Sequence, residues 1–311
     1  MSVNAWIVVA DQPAIGNLIT VARNLGGPAG TDGQVAAVVA GPRPVAEAVA
    51  ASGVDRVVWC GAPEGSPAEA SAATVAEVVA ADPPRAVLSG RNPAERVLLG
   101  AAAARLRAAV LTGARSVALD KDADKTTVLN AVYGDISEET VEISGPVALL
   151  LDGGSVPAAG ASSVPIEEAS GTPYGLTVLE TVTSGFEEVD LNAAQRVIGV
   201  GRGLKAKEDL ALIDQLAGAV KAEIACSRPV AEGLNWMGKD RYIGSSGARI
   251  TPQLYLAVGI SGQLQHMVGV VGAETIVAIN SDPNAAVFTQ ADYGLVGDLY
   301  ELVPAITSAL E

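Results

Sequence analysis

Short apolar runs, each followed by a segment of helical spacing, recur at both ends of this chain, and that recurrence restricts the fold more than any other feature. Residues 5–10, 35–40, 56–60 and 86–89 are strand-length runs of mostly Val, Ile, Leu and Ala. Helical patterns follow them: Ile15, Leu18, Ile19, Ala22 and Leu25 after the first, then residues 45–51, 67–81 and 93–108, with a further apolar run at 109–113. Strands apolar on both faces and separated by helices predict a parallel sheet covered on both sides. The rhythm restarts at 197–200, with a helix over 207–220, a strand at 223–226, runs at 254–260 and 275–280, a strand at 294–296 and a helix over 299–310. The predicted class is α/β with two parallel-sheet domains, which suits 311 residues.

Between the two series the pattern changes to strands alone, at 116–119, 126–133, 140–143 and 147–151, which reads as a β-rich extension. Residues 152–174 are rich in Gly, Ser, Pro and Ala and read as a linker with room for one short strand, followed by a strand over 176–183. The expected domains are 1–191 and 192–311.

With 49% hydrophobic and only 4% aromatic residues, the core is built from small aliphatic side chains. No apolar run reaches the roughly eighteen residues of a membrane span. The N-terminal segment has no basic residue ahead of its apolar run and reads as a first strand, so a cytoplasmic protein is expected. A net charge of −15 argues against nucleic acid, whose phosphates require clustered Lys and Arg. Cys60, Cys226 and a single histidine provide no zinc or iron–sulfur spacing, and no nucleophile–base pair or carboxylate dyad stands out.

The chemistry concentrates in residues 254–282. An apolar run breaks at Ser261-Gly262, a helical segment from Gln263 carries His266, and a second run closes at Asp282-Pro283. This reads as a βαβ unit with Ser261 at the helix N-cap, a turn suited to an anionic ligand. The glycines of Gly199-Val200-Gly201-Arg202-Gly203 do not make a dinucleotide fingerprint, because Leu204 stands where the third glycine belongs. They read as a tight strand-to-helix turn. Arg202 and Arg228 each follow a strand, where ligands sit in open α/β sheets, although pairing with surface carboxylates is an equal reading for Arg228.

Leu254-Tyr255, Gly259-Ile260-Ser261-Gly262, Gln265-His266 and Ala278-Ile279-Asn280 resemble the signature of electron transfer flavoprotein α subunits. The resemblance continues through Gly201-Arg202-Gly203, Cys226-Ser227-Arg228-Pro229, Ala291-Asp292-Tyr293-Gly294 and Asp298, and its wording is nearest the Fix-type (FixB-like) subgroup. It covers about the last third of the chain.

That resemblance implies a nucleotide-hydrolase-like first domain and an FAD-binding second domain of deoxyhypusine-synthase-like shape. It implies FAD contacts at Arg202, on the pyrophosphate or adenosine side, at Ser227, to phosphate, and at Arg228, beside the flavin ring. Ile243, Gly244, Ser245 and Ser246 form the loop whose last hydroxyl is expected at flavin N5. Most α subunits have Gln and Thr where this chain has Ser245 and Ser246, and Ala248 replaces a usual lysine. Gly259, Ser261, Gly262, Gln263, Leu264, Gln265 and His266 line the central turn, with His266 at the flavin N1–C2=O edge, where a donor favours the reduced, anionic ring. Asn280, Asp282, Asp298 and Leu299 complete the set; for Asn280 and Asp298 the contact is to adenosine, with ordinary turn chemistry as the alternative.

The implied function is an α subunit paired with a β subunit, shuttling electrons between flavin-dependent dehydrogenases and an acceptor such as a quinone oxidoreductase, in a setting such as fatty acid or carnitine metabolism. An electron-bifurcating complex that oxidises NADH with a second flavin in the β subunit, and a nucleotide-binding module without flavin, remain alternatives.

Overall fold

The computed structural model describes residues 3–25, 34–62, 64–120, 124–133, 137–151, 153–158, 163–181, 189, 191 and 193–310. The chain divides into two compact units, Met1–Thr181 and Val182–Glu311.

In the first unit, β1 (Val3–Val9), β2 (Gln34–Val39), β3 (Arg56–Trp59) and β4 (Ala86–Ser89) alternate with α1 (Gly16–Asn24), α2 (Arg43–Ala50), α3 (Ala72–Ala81) and α4 (Pro93–Leu106). β5 (Ala109–Leu111) follows. Then β6 (Ala114–Asp120), β7 (Lys125–Val132) and β8 (Ser137–Ser144) form a separate antiparallel sheet, the expected β-rich extension. β9 (Val147–Leu150) and β10 (Ile166–Glu168) return to a main sheet of order β10-β3-β2-β1-β4-β9-β5, in which every pairing is parallel. Successive β1 residues point to opposite faces: Ala5, Ile7 and Val9 pack with Leu18 of α1 and Val49 of α2, whereas Trp6 and Val8 pack with Val75 of α3 and Leu98 of α4. This two-sided burial is what the continuous apolar runs predict.

In the first unit two expectations are corrected. The run at 147–151 does not extend the antiparallel sheet but inserts between β4 and β5, where all four residues of β9 are buried. The expected strand over 176–183 does not form across 176–181, and residues 182 and 183 lie outside the described residues. Leu179 is 96% exposed and the Val178 N–H bonds only to the Gly65 carbonyl, so these apolar residues have no sheet edge to join.

The second unit holds β11 (Arg196–Val200), β12 (Glu223–Cys226), β13 (Leu254–Val258), β14 (Ile276–Asn280) and β15 (Tyr293–Val296) with α5 (Leu210–Val220), α6 (Leu264–Met267) and α7 (Leu299–Leu310). The sheet order is β12-β11-β13-β14-β15, again wholly parallel. Leu256 and Val258 of the central strand pack with Ile213 of α5 and Val303 of α7; Tyr255 and Ala257 pack on the other face with Met267, Val270 and Val287. α6 is a single turn, shorter than the sequence pattern suggested. Its N-cap is Gln263 (φ −60°, ψ 146°), not Ser261, because Gly262 at φ +78° turns the chain between them. The helix-dipole argument for an anion at Ser261 loses its basis, since one turn sums few peptide dipoles.

Among the described residues no helix is long and apolar enough to cross a membrane, and no cluster of three or more His, Cys, Asp or Glu could hold a metal ion.

Among the described residues of the first unit, one acidic side chain is buried. Glu95, 6% exposed, accepts from the Ala10 N–H at 3.3 Å. Burial raises its pKa from 4.5 to about 7, against the smaller opposing effect of the Ala10 and Gly90 backbone. The folded state therefore holds the proton more tightly than the unfolded chain, and this contribution is complete below the unfolded value and lost as pH rises to about 7. From pH 5 to pH 8 the wild type should lose about 2 kcal/mol more unfolding free energy than Glu95→Gln, measured by urea titration. Parallel pH profiles for the two would show that Glu95 is not buried as described.

Candidate functional site

Because all five strands of the second sheet run the same way, every strand-to-loop turn that follows them opens on one edge. The order places the topological reversal between β11 and β13, where ligands of open α/β sheets bind. The two turns meet there backbone to backbone. Gly201 donates to the Val258 carbonyl at 2.9 Å and Gly203 to the Gly259 carbonyl at 3.1 Å. A Cβ on Gly203 would lie 2.6 Å from the Gly259 Cα, and one on Gly201 would lie 2.2 Å from the Gly259 carbonyl oxygen. These glycines are required for close approach. Gly199 has a different reason: a Cβ there would lie 2.0 Å from the Tyr255 hydroxyl.

The structure brings the sequence-derived residues to this edge. Arg202 follows β11, Ser227 and Arg228 follow β12, Gly259 to His266 follow β13, Asn280 ends β14 with Asp282 just beyond it, and Asp298 and Leu299 follow β15. The loop carrying Ile243 to Ser246 is tied to the same edge, because Ile243 donates to the Cys226 carbonyl at 3.0 Å and Ser245 to the Gln265 carbonyl at 2.7 Å. Arg202, Arg228, Ser245, Ser246, Ser261, Gln263, Leu264, Gln265, Asp282 and Asp298 are exposed; Ile243, Gly244, Gly262, His266 and Leu299 are buried.

Individual partners refine the picture. Arg202 has no hydrogen bond or ion pair among the described residues. Arg228 is held by Glu232 at 2.6 Å, one helical turn on, and this exposed pair leaves its charge partly countered. The Ser246 hydroxyl lies 3.0 Å from that of Tyr242; if it accepts the tyrosine proton it keeps its own to give away. Asn280 and Asp298 perform turn chemistry. The Asn280 amide donates to the Ile260 carbonyl at 2.8 Å while its oxygen accepts from the Asp282 N–H at 2.9 Å. Asp298 accepts from the Tyr300 N–H at 2.9 Å at the start of α7. Leu299 packs into the core beneath the glycine turns.

His266 is 8% exposed. Its Nε2 lies 2.6 Å from the Tyr255 hydroxyl, and its Nδ1 is buried without a hydrogen-bond partner among the described residues. Burial drives the imidazole pKa down to about 4, offset weakly by the Ile243 backbone, so the ring is neutral at physiological pH. The edge thus presents exposed cations, hydroxyls and backbone N–H groups around one buried neutral donor or acceptor, an arrangement suited to a large anionic ligand with a polar ring.

Sequence reasoning missed Tyr255, Tyr242 and Glu232. Strand alternation could have put Tyr255 on one face, but nothing in the sequence pairs it with a residue eleven positions away. Glu232 had an available signal in its i,i+4 spacing from Arg228.

The first unit also has a cleft of about 490 Å³ at the ends of its strands, lined by Asp11, Glu69, Asn92, Trp59 and Arg43. Arg43 lies over the Trp59 ring and bonds Glu168 at 2.6 Å, which leaves Asp11 and Glu69 to make the cleft acidic and unsuited to phosphates.

Comparison with known proteins bears on both units. Residues 10–173 match the family model described as electron transfer flavoprotein domain, and residues 190–271 match that described as electron transfer flavoprotein FAD-binding domain. YdiR of Escherichia coli (strain K12) is 41% identical over 241 residues, 72% of this chain and 76% of that protein. Protein FixB of Escherichia coli (strain K12) is 43% identical over 212 residues, 66% of this chain and 67% of that protein. Likeness to a solved chain from Mycobacterium smegmatis is slight, with a TM-score of 0.25 at 13% identity over 88% of this chain and 59% of that one, and has no bearing on the site.

The two bonds of Asn280 lead to a direct test. Asn280→Ala should destabilise the ligand-free protein by about 1–3 kcal/mol in urea unfolding, because the buried Ile260 carbonyl loses its donor. Unchanged stability would mean that the side chain does not tie the two turns together.

Proposed function

Because this chain belongs to the electron transfer flavoprotein α-subunit family and carries that family's FAD-binding domain, we propose that it is the α subunit of a heterodimeric electron carrier. Its partner is a β subunit of the same family. The pair passes electrons in the cytoplasm between a flavin-dependent dehydrogenase and an acceptor oxidoreductase, and residues 192–311 form the flavin-holding domain. The chain is a carrier subunit and not a stand-alone enzyme.

One observation carries the reading: Arg202, Arg228 and the hydroxyls of Ser245 and Ser246 share one open sheet edge, beside which the buried His266 leaves its Nδ1 without a hydrogen-bond partner among the described residues. The residues present fit FAD. The glycine turns bring the backbone close enough together to leave room for a pyrophosphate beside them, Arg202 has a guanidinium without a partner among the described residues, and the orphaned Nδ1 suits a ring carbonyl. FAD, when bound, supplies the ability to take up and release electrons.

The remaining work belongs to the protein. Arg202 and Ser227 would hold the phosphate side. Arg228 lends positive charge to the ring side, moderated by Glu232. Ser246 would offer a hydroxyl donor to the flavin ring, and His266 would offer it a hydrogen-bonding group without charge. Ile243, Gly244, Ser245 and the 259–265 turn shape the wall. Asn280, Asp282, Asp298 and Leu299 border the adenosine end chiefly by fixing the turns. Solvent exposure screens Arg228, so its influence on potential is modest compared with a buried cation.

The co-purified α–β pair should be yellow with bound FAD, and a folded but colourless pair would count against the proposal. In that pair, Arg228→Ala should lower the flavin midpoint potential and Glu232→Gln should raise it, because the first removes and the second unmasks positive charge. Identical potentials in all three proteins, with FAD retained, would place Arg228 outside the reach of the ring.

A further inference from the structure

The Tyr255–His266 pair has a consequence beyond cofactor binding. Tyr255 is fully buried on the central strand, its hydroxyl seated against Gly199 and 2.6 Å from His266 Nε2, with ring centroids 6.1 Å apart. No other hydrogen-bond partner of that hydroxyl exists among the described residues.

We propose that Tyr255 is a positioning residue: its hydroxyl donates to His266 Nε2, fixing the imidazole as the Nδ1–H tautomer and keeping that proton available to the ligand. The part concerning the ligand rests on the flavin-binding reading above. The part concerning the tautomer does not.

The number of buried donors distinguishes the two tautomers. A neutral imidazole has one N–H, and a phenol has one O–H. If His266 donated through Nε2, the tyrosine proton would have no acceptor and Nδ1 would be a bare acceptor without a donor. Both would be buried, and each would bear its full desolvation cost. If Tyr255 donates, only the Nδ1–H is left without a strong partner. The second arrangement leaves fewer buried polar groups unmatched.

The charged imidazolium, with protons on both nitrogens, is disfavoured by burial. His266 therefore contributes direction without charge. Positive charge at this edge comes from the arginines instead.

The test uses the full chain with its β partner. Because the chain has one histidine, selective nitrogen labelling of its imidazole reports on His266 alone once the partner is left unlabelled. In the flavin-free pair the two ring nitrogens should differ widely in chemical shift, with the proton on Nδ1. Tyr255→Phe, which removes a single oxygen, should collapse that difference toward a mixture of tautomers. Finding the proton on Nε2 in the wild type, or an unchanged tautomer in Tyr255→Phe, would overturn the proposal. If the variant does not fold, the wild-type assignment alone still decides. Adding FAD should then shift the Nδ1 proton resonance. Bound FAD with no such shift would overturn the presentation of the proton to the ligand, whereas failure to bind FAD at all would fall on the flavin reading and leave the tautomer result standing.

Discussion

The contact between the turn after β11 and the turn after β13 is the constraint on which the site depends. Gly203 sits so close to Gly259 that no side chain fits between them, and two backbone hydrogen bonds hold the turns together. Turns packed this tightly cannot fold over the strand ends, so Arg202 and Ser261 are directed outward and the edge stays open. The neighbouring elements adjust to the same contact. Leu299 fills the space beneath the two glycines, Asn280 ties the third turn to Ile260, and Gly199 makes room for the Tyr255 hydroxyl. The reversal of strand order is thus converted into an exposed, backbone-lined crevice.

Charge is divided along this edge in an instructive way. The chain carries a net charge of −15, yet the ends of β11 and β12 display Arg202 and Arg228. Both are exposed, so solvent screens them and Glu232 can moderate one of them. The buried polar group, His266, is neutral. A buried cation would have carried a large desolvation cost, and a buried neutral donor achieves orientation without it. In an FAD-binding domain this separation allows the field to be tuned at the surface while the geometry is fixed inside.

Much of this was legible in the sequence, for identifiable reasons. Apolar runs such as residues 35–40 and 254–258 are buried on both faces, and continuous burial leaves a continuous apolar pattern. Positions after strands were readable because Ser227-Arg228-Pro229 and Ser261-Gly262 interrupt such runs abruptly. Residues 176–181 misled because apolar composition alone does not supply a neighbouring strand, and Leu179 remains in solvent. Ser261 misled because the positive φ of Gly262 shifts the helix start by two residues, which capping preferences do not anticipate. The Tyr255–His266 bond was invisible since it depends on the depth at which one short helix crosses the sheet.

Hydrogen–deuterium exchange on the full chain with its β partner, with and without FAD, tests the central claim most directly. FAD should slow exchange at Arg202, Ser246 and residues 260–265, whose backbone N–H groups have no carbonyl partner among the described residues and lie in the turns of the open edge. Protection confined to the acidic cleft near Asp11 and Glu69, or absent from these turns while FAD is bound, would contradict it.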